Sequence, residues 1–207
     1  MVGAGVFRKF SRIRGLRIHL DERTVFGYGH RLETVTEKQP YRLVKQFDDF
    51  ELRHYPEHAV VEVTTHGDFM TAGSIGFRPL LSYISGFNLK AQKFAMTAPV
   101  LQQESYEDVY VISFVLPAGA ELTERPQPKD GGVTAKVVAA RYVAARRFGG
   151  GWQEGRFMGE GEKLLSAVEA AGLHPVDEVF WARFDPPWKP GFLKHNEALI
   201  ALEGVTE

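Results

Sequence analysis

Apolar and polar side chains alternate in several segments that follow a polar N-terminal stretch. Alternation with a period of two is typical of a strand with one buried face. Residues 41–47 and 50–55 both alternate, and Asp48-Asp49 between them is a turn signal, so the pattern predicts a β-hairpin. Residues 59–65 are rich in β-branched side chains and predict a further strand.

The segment after these strands has the period of a helix. Apolar or small residues recur every three or four positions and therefore share one helix face. These residues are Phe69, Ala72, Gly76, Phe77, Leu80, Leu81 and Ile84. Asp68 is a suitable N-cap and Gly86 a suitable stop, so the pattern predicts a helix between them.

The same order of elements then repeats along the chain. The patterns predict strands over 98–103, 109–116, 133–139 and 142–148, a helix over 157–171, and strands over 179–184 and 198–202. Two strands, a helix and two strands thus occur twice, with one additional strand before the first helix, which predicts an α+β fold. Two such halves related by a pseudo-twofold axis can close into a twisted antiparallel β-barrel flanked by two helices. A groove between the helices and the sheet is then the expected ligand site.

Composition and charge exclude several classes of protein. The 207 residues are 44% hydrophobic and 25% charged, which suits a globular domain. Without cysteine, the chain has no disulfide, thiolate metal site or cysteine nucleophile. The formal net charge of −1 gives no general attraction to nucleic acid, and no segment is apolar enough to span a bilayer. We therefore expect a cytoplasmic protein that binds no nucleic acid.

The first 39 residues differ from the rest of the chain. They are irregular and polar, and basic side chains are frequent near their start, at Arg8, Lys9, Arg12, Arg14 and Arg17. A flexible solvated tail and a basic arm that binds a surface are both compatible with this composition. The prediction is an N-terminal arm over 1–39 and a folded domain over 40–207.

Several short motifs follow one another in a specific order. They are Phe50–Pro56 (containing E-L-R-H-Y), Gly76–Arg78 with Tyr83–Asn88 in and after the predicted helix, Lys93–Val100 (ending M-T-A-P-V), Ala182–Trp188 (A-R-F-D-P-P-W) and Asn196-Glu197. Together these motifs resemble the SOUL haem-binding protein family, and the M-T-A-P-V stretch is the most diagnostic of them. The resemblance covers about residues 40–202.

The resemblance implies non-covalent binding of haem or a related tetrapyrrole by a barrel flanked by two helices. It makes His54 the candidate ligand of haem iron, since a neutral imidazole is a usual axial ligand. The candidate contacts to the cofactor are His54, Phe77, Arg78, Leu81, Lys93, Met96 and Trp181. A hydrogen-bonded strand histidine and ordinary solvated cations are the alternatives at the polar positions among these.

Glu197, which precedes apolar residues, leaves two interpretations open. In an apolar cavity its pKa would rise, and it could serve a small-molecule hydrolase or an effector-binding barrel of the gyrase-inhibitor-like superfamily. If it is hydrogen-bonded instead, it stays ionised and ties the barrel closed. A partner-binding protein with a vestigial cavity is a third possibility.

The motifs of common enzyme classes are missing from the sequence, which has no nucleophile elbow, P-loop or zinc-protease motif. We therefore expect a binding protein rather than an enzyme. Its expected partner is a tetrapyrrole or another apolar small molecule, and its expected state is a monomer or a weak homo-oligomer.

Overall fold

The computed structural model describes residues 36–120 and 126–205. In chain order their elements are β1 (Glu37–Lys38), β2 (Arg42–Gln46), β3 (Glu51–Tyr55), β4 (His58–His66), α1 (Phe69–Ile84), β5 (Thr97–Ala98), β6 (Val100–Tyr106), β7 (Val109–Val115), β8 (Val133–Val138), β9 (Arg141–Phe148), α2 (Glu154–Ala170), β10 (His174–Pro175), β11 (Phe180–Arg183) and β12 (Asn196–Glu203). A single turn of 3-10 helix, Gly191–Leu193, precedes β12. Both helices and all the longer strands lie where the periodicity predicts them, within a few residues.

Most of the basic arm predicted over 1–39 lies outside the described residues. Strand β1 falls at its end and pairs in parallel with β5. No helix within the described part of the chain is long and apolar enough to cross a membrane.

Nine strands form one curled antiparallel sheet, in the order β2-β3-β9-β12-β11-β6-β7-β4-β8, and β10 pairs with β12 beside this path. If β2 is left out, each remaining strand has a counterpart at the same distance from the opposite edge of the sheet. The four pairs of counterparts are β3 and β8, β4 and β9, β6 and β11, and β7 and β12. The repeat in the sequence is therefore a pseudo-twofold with its axis between β6 and β11. The predicted α+β fold is confirmed, and among the described strands the sheet forms a half-barrel.

The two faces of the sheet are covered differently. The main core cluster joins one face to both helices, through side chains such as Phe69 and Leu80 of α1 and Phe157 and Leu164 of α2. A smaller cluster, which includes Phe180, lies on the opposite face and contains no residue of either helix. Successive residues of a strand point to opposite faces. We call these faces the helix-side face and the outer face.

The first helix begins as predicted, because Asp68 Oδ1 accepts hydrogen bonds from the backbone N–H groups of Met70 and Thr71, at 3.0 and 2.9 Å. Its buried residues are Phe69, Ala72, Gly73, Gly76, Leu80, Tyr83 and Ile84. The prediction that Phe77 and Leu81 belong to this face was wrong, since they are 37% and 42% exposed. At about 100° per residue they lie about 80° and 120° around the helix from Phe69, at and beyond the border of the buried face.

Two hydrogen bonds at the pseudo-twofold axis attach the helices to the sheet. Gln102 of β6 and Trp181 of β11 are cross-strand neighbours. Gln102 Nε2 donates to the carbonyl oxygen of Phe69 at 2.8 Å, and Trp181 Nε1 donates to that of Phe157 at 3.3 Å. The first turn of each helix is thereby fixed against the middle of the sheet.

Candidate functional site

A groove of about 420 Å³ lies between the first half of α1 and the chain that leaves β11. Its walls are formed by Thr36, by Met70, Gly73, Ser74 and Phe77 of α1, by Val100 and Trp152, and by the segments 96–98 and 183–188. A volume of this size is usual for small-molecule sites. Aromatic, methionine and proline side chains dominate the walls, so the groove suits a largely apolar ligand.

Two of the predicted cofactor contacts, Phe77 and Met96, line this groove. Phe77 packs edge-on against Phe114, with ring centroids 5.1 Å apart. Met96 is partly buried and packs against the main core. The position of Phe77 at the border of the helix face is what makes its ring available to a ligand.

The other predicted contacts lie elsewhere. Arg78 lines a shallow depression on the outside of α1, and Leu81 is exposed on the same helix. Lys93 lines a separate depression beside the loop 117–120. Trp181 is buried, and its indole N–H is already bonded to a helix carbonyl. These four side chains therefore do not form the walls of the groove.

His54 is also distant from the groove. It lies on β3 in register with Tyr142 of β9, and the two ring centroids are 4.9 Å apart. Arg183 at the groove is in register with Asn196, which pairs with Phe148 of β9. At about 3.3 Å per residue, the stretch of β9 from Tyr142 to Phe148 is about 20 Å long. A ligand in the groove therefore lies out of reach of the His54 ring.

The cation in the wall of the groove is Arg183, the last residue of β11. It is 7% exposed and lies on the helix-side face. Its guanidinium carbon is 4.9, 5.1 and 5.5 Å from the ring centroids of Phe69, Trp152 and Phe157. Burial lowers the pKa of Arg183 to about 10, which leaves the side chain charged at neutral pH. The groove therefore contains a buried positive charge surrounded by aromatic rings.

Asn196 fixes the aromatic ring of Trp152 beside this charge. The indole N–H of Trp152 donates to Asn196 Oδ1 at 3.1 Å, and Asn196 Nδ2 donates to the carbonyl oxygen of Gly150 at 3.1 Å. Asn196 is completely buried at the beginning of β12. The side chain that begins the Asn-Glu motif therefore holds one wall of the groove in place.

The segment 184–188 forms the opposite wall and is held by polar contacts at its base. Asp185 Oδ1 accepts a hydrogen bond from Lys189 Nζ at 2.6 Å, and Asp185 Oδ2 accepts one from the backbone N–H of His195 at 2.6 Å. Burial by itself would raise the pKa of Asp185, but the bonds from Lys189 and His195 lower it below its usual range. This carboxylate is therefore ionised and already paired. Lys194 Nζ donates to the carbonyl oxygen of Pro187 at 3.0 Å and completes the support.

Glu197 belongs to a different cluster, on the outer face. Arg53 Nη1 and Nη2 donate to its two carboxylate oxygens at 2.7 and 3.1 Å, and His195 Nε2 is 2.7 Å from Oε1. Arg53 also donates to Glu51 at 2.7 Å and to the hydroxyl oxygen of Tyr55 at 3.1 Å. Burial raises the pKa of Glu197, but the bonds from His195 and Arg53 outweigh it and lower the pKa below its ordinary value. The carboxylate is therefore ionised, and its hydrogen bonds with Arg53 join β12 to β3.

Comparison with known proteins assigns the family. A family model described as SOUL heme-binding protein matches residues 36–201, most of the chain. The chain belongs to the SOUL family. The match extends from β1 into β12, so every groove residue of this SOUL domain lies inside it. No curated protein has a significant sequence match to the chain.

Solved structures resemble the SOUL domain in fold. The C-terminal domain of EcmrR matches with a TM-score of 0.56 and 14% identity, over 80% of this chain and 99% of that one. A hydrolase from Listeria innocua matches with a TM-score of 0.52 and 11% identity, over 77% and 94%. An uncharacterized conserved protein from Listeria innocua matches at 0.54 and 11%, over 75% and 92%. At such identities the likeness concerns the fold alone.

Sequence reasoning missed three residues that shape the groove, namely Gly73, Trp152 and Arg183. A signal for Arg183 was present, because Phe180 and Ala182 alternate with Trp181 and Arg183 in an apolar strand. A cation on the same face as a tryptophan in such a strand indicates a buried charge. Nothing in the local pattern at Gly73 distinguishes it from an ordinary helix glycine.

Proposed function

We propose that this SOUL domain binds haem or a related tetrapyrrole non-covalently in the groove, as a carrier, buffer or sensor. The observation that carries the proposal is the apolar groove with Arg183 in its wall, in a chain of this family. A macrocycle is mostly apolar and carries acidic side chains, so it needs apolar walls together with a cation. A cytoplasmic location and a monomeric or weakly associated state remain predictions from the sequence.

The residues of the groove fit the macrocycle better than they fit a ligated iron. Phe77 and Trp188 offer aromatic surface, and Met70 and Met96 offer flexible side chains that adapt to a ligand. Bound haem would supply a redox-active, coloured iron centre. Among the groove residues there is no histidine, and the thioethers of the two methionines are the iron-ligand type present. The proposal therefore relies on contacts to the macrocycle rather than on His54.

Blocking the groove is the first test. Ser74 is an exposed residue of α1 that lines the groove, so Ser74→Trp places a large ring inside it. Ile75 is the next residue, is exposed and does not line the groove, which makes Ile75→Trp the matched control. We expect hemin to give a saturable Soret shift with the wild type and with Ile75→Trp. Ser74→Trp is expected to weaken binding at least about tenfold, because it removes more than 1.4 kcal/mol of apolar contact.

A third variant, His54→Ala, separates the groove from the histidine. Because His54 lies far along the sheet from the groove, its removal is expected to leave the hemin spectrum and the endpoint of the titration unchanged. Loss of the Soret shift in His54→Ala with normal binding by Ser74→Trp would contradict the proposed site. A wild-type protein that shows no saturable shift would contradict tetrapyrrole binding itself.

The geometry favours no second function centred on Glu197. That carboxylate lies on the outer face, is bonded to Arg53 and His195, and is not among the groove residues. A general base needs a free lone pair within reach of the ligand. A hydrolase or a cation-binding effector domain that uses Glu197 would require the ion pair with Arg53 to open first.

A further inference from the structure

Arg183 has hydrogen-bonding capacity that the protein does not use. Its side chain is 7% exposed, and both Nε and Nη2 are buried without a hydrogen-bond partner among the described residues. Buried polar groups in proteins are almost always bonded, and buried charges are almost always paired. An arginine in this state destabilises the folded protein unless another group accepts its hydrogen bonds and balances its charge.

The three aromatic rings around Arg183 do not replace these missing bonds. Cation–π contacts use the face of the ring and the flat side of the guanidinium, whereas N–H groups donate along its edge. The rings of Phe69, Trp152 and Phe157 are 4.9 to 5.5 Å from the guanidinium carbon. A ring offers no carbonyl, carboxylate or hydroxyl oxygen as an acceptor, so the Nε and Nη2 donors stay without a hydrogen-bond partner among the described residues.

Within the described part of the chain, the charges around Arg183 also leave its positive charge uncompensated. The acidic side chain in the groove wall, Asp185, is already paired with Lys189 and with the backbone of His195. Lys194 adds a second cation, because its Nζ lies 4.0 Å from the centroid of the Trp152 ring, which Arg183 also contacts. The groove therefore presents an electrostatic environment that favours an anion.

Gly73 provides the space in which the guanidinium lies. A Cβ atom at this position would be 2.6 Å from Arg183 Nη1 and 2.8 Å from Gln102 Oε1, closer than Cβ atoms approach such neighbours. Gln102 Oε1 is itself buried without a hydrogen-bond partner among the described residues. Glycine weakens a helix relative to alanine, so its presence inside α1 indicates a need for this space.

We infer that Arg183 binds the acidic group of the ligand, and that the groove accepts molecules with an apolar body and a carboxylate. A planar guanidinium and a planar carboxylate pair through two parallel hydrogen bonds. The inference rests on the proposed function where the carboxylate is a tetrapyrrole propionate. The head group of a fatty acid offers the same chemistry, and the two sources are separated by the choice of probe.

The test compares each acid with its own ester. Protoporphyrin IX and its dimethyl ester are titrated into the protein under identical detergent conditions. We expect the wild type to prefer the acid by about tenfold or more, since a hydrogen bond to a charged group is worth about 1.5–3 kcal/mol. Arg183→Met should bind both probes with the same weak affinity, and Arg183→Lys should retain part of the preference. Equal affinity of the wild type for acid and ester would overturn the inference and leave tetrapyrrole binding intact.

The melting temperature of the ligand-free protein distinguishes a binding role of Arg183 from a structural role. Arg183→Met removes an unpaired buried charge, so its melting temperature should rise by several degrees. A lower melting temperature together with an unchanged preference for the acid would show that Arg183 is structural.

Gly73→Ala is the second variant, in case Arg183→Met does not fold. Its added methyl group displaces the guanidinium, and it should also abolish the preference for the acid.

A second pair of probes separates this inference from the proposed function. Pyrenebutyrate and its methyl ester are titrated into the same variants. If neither porphyrin binds but pyrenebutyrate binds better than its ester in an Arg183-dependent way, the carboxylate site stands and the tetrapyrrole proposal fails. If no acid in either pair is preferred over its ester, the carboxylate site is refuted.

Discussion

Arg53→Met is expected to lower the free energy of unfolding by about 3–5 kcal/mol, because it leaves the buried carboxylate of Glu197 without its main partner. Arg53 and Glu197 are 3% and 2% exposed, and two hydrogen bonds of 2.7 and 3.1 Å join them. Glu51 and Tyr55 lose a bond from Arg53 at the same time. Chemical denaturation at neutral pH measures the loss.

Arg183→Met is the matched control for this variant, since the substitution is identical and both arginines are buried on the same sheet. The two variants should change stability in opposite directions, because Arg53 is paired with a carboxylate, whereas Arg183 has no such partner among the residues that the structure describes. If both variants were destabilised equally, the packing of each arginine against aromatic rings, rather than its charge pairing, would determine its contribution to stability.

The effect of Arg53→Met should also depend on pH. The pKa of Glu197 in the folded protein lies below its ordinary value, so the ionised pair contributes stability that is complete above about pH 4.5 and is lost as the pH falls. The difference between wild type and variant is therefore expected to be largest near neutral pH and to shrink in acid. A constant difference across this range would exclude the ion pair as its cause.

Gly76→Val is expected to destabilise the domain by about 3 kcal/mol through overpacking between α1 and the sheet. A Cβ at Gly76 would lie 2.6 Å from Ile112 Cγ1 and 2.8 Å from Ile112 Cβ. Ile112 is fully buried in the middle of β7, and its Cβ is attached directly to the backbone, so it cannot turn away. The helix itself must therefore shift, and thermal or chemical unfolding measures the cost.

Gly159→Val on α2 is the control for this substitution. A Cβ at Gly159 would have no neighbour within 4 Å, so valine there changes only local helix propensity, by less than about 0.5 kcal/mol. A comparable loss of stability in both variants would mean that the side chain, and not the helix–sheet contact, is responsible. Because α1 forms one wall of the groove, Gly76→Val should also weaken hemin binding, and Gly159→Val should not.

Much of the fold could be predicted from the sequence because its longer elements are amphipathic. Each long strand has one face against the core, and each helix presents an apolar stripe, so the periodicity shows both. The strands that the pattern missed, β1, β5 and β10, have two residues each, too few for any periodicity to appear. The pairing of β3 with β9 and of β8 with β4 joins the two halves and depends on contacts distant in sequence.

The site was less predictable, because it is formed where separate segments meet. Phe77 and Met96 were found through motifs, whereas the motif that contains His54 gave no information about which end of the sheet faces the groove. The sequence shows Arg183 as a cation in an apolar strand, but that it is buried without a hydrogen-bond partner for Nε and Nη2 among the described residues is visible only in the structure. Glu197 left two interpretations open, and the position of Arg53, far away in sequence, provides the bonds of the structural one.

A crystal structure of the complex with hemin tests the central claim most directly, since it locates the macrocycle. We expect the macrocycle between α1 and the segment 184–188, in contact with Phe77 and Met96, with one propionate on Arg183 and His54 free of the iron. A macrocycle bound elsewhere on the domain, above all one ligated by His54 on β3, would contradict this expectation.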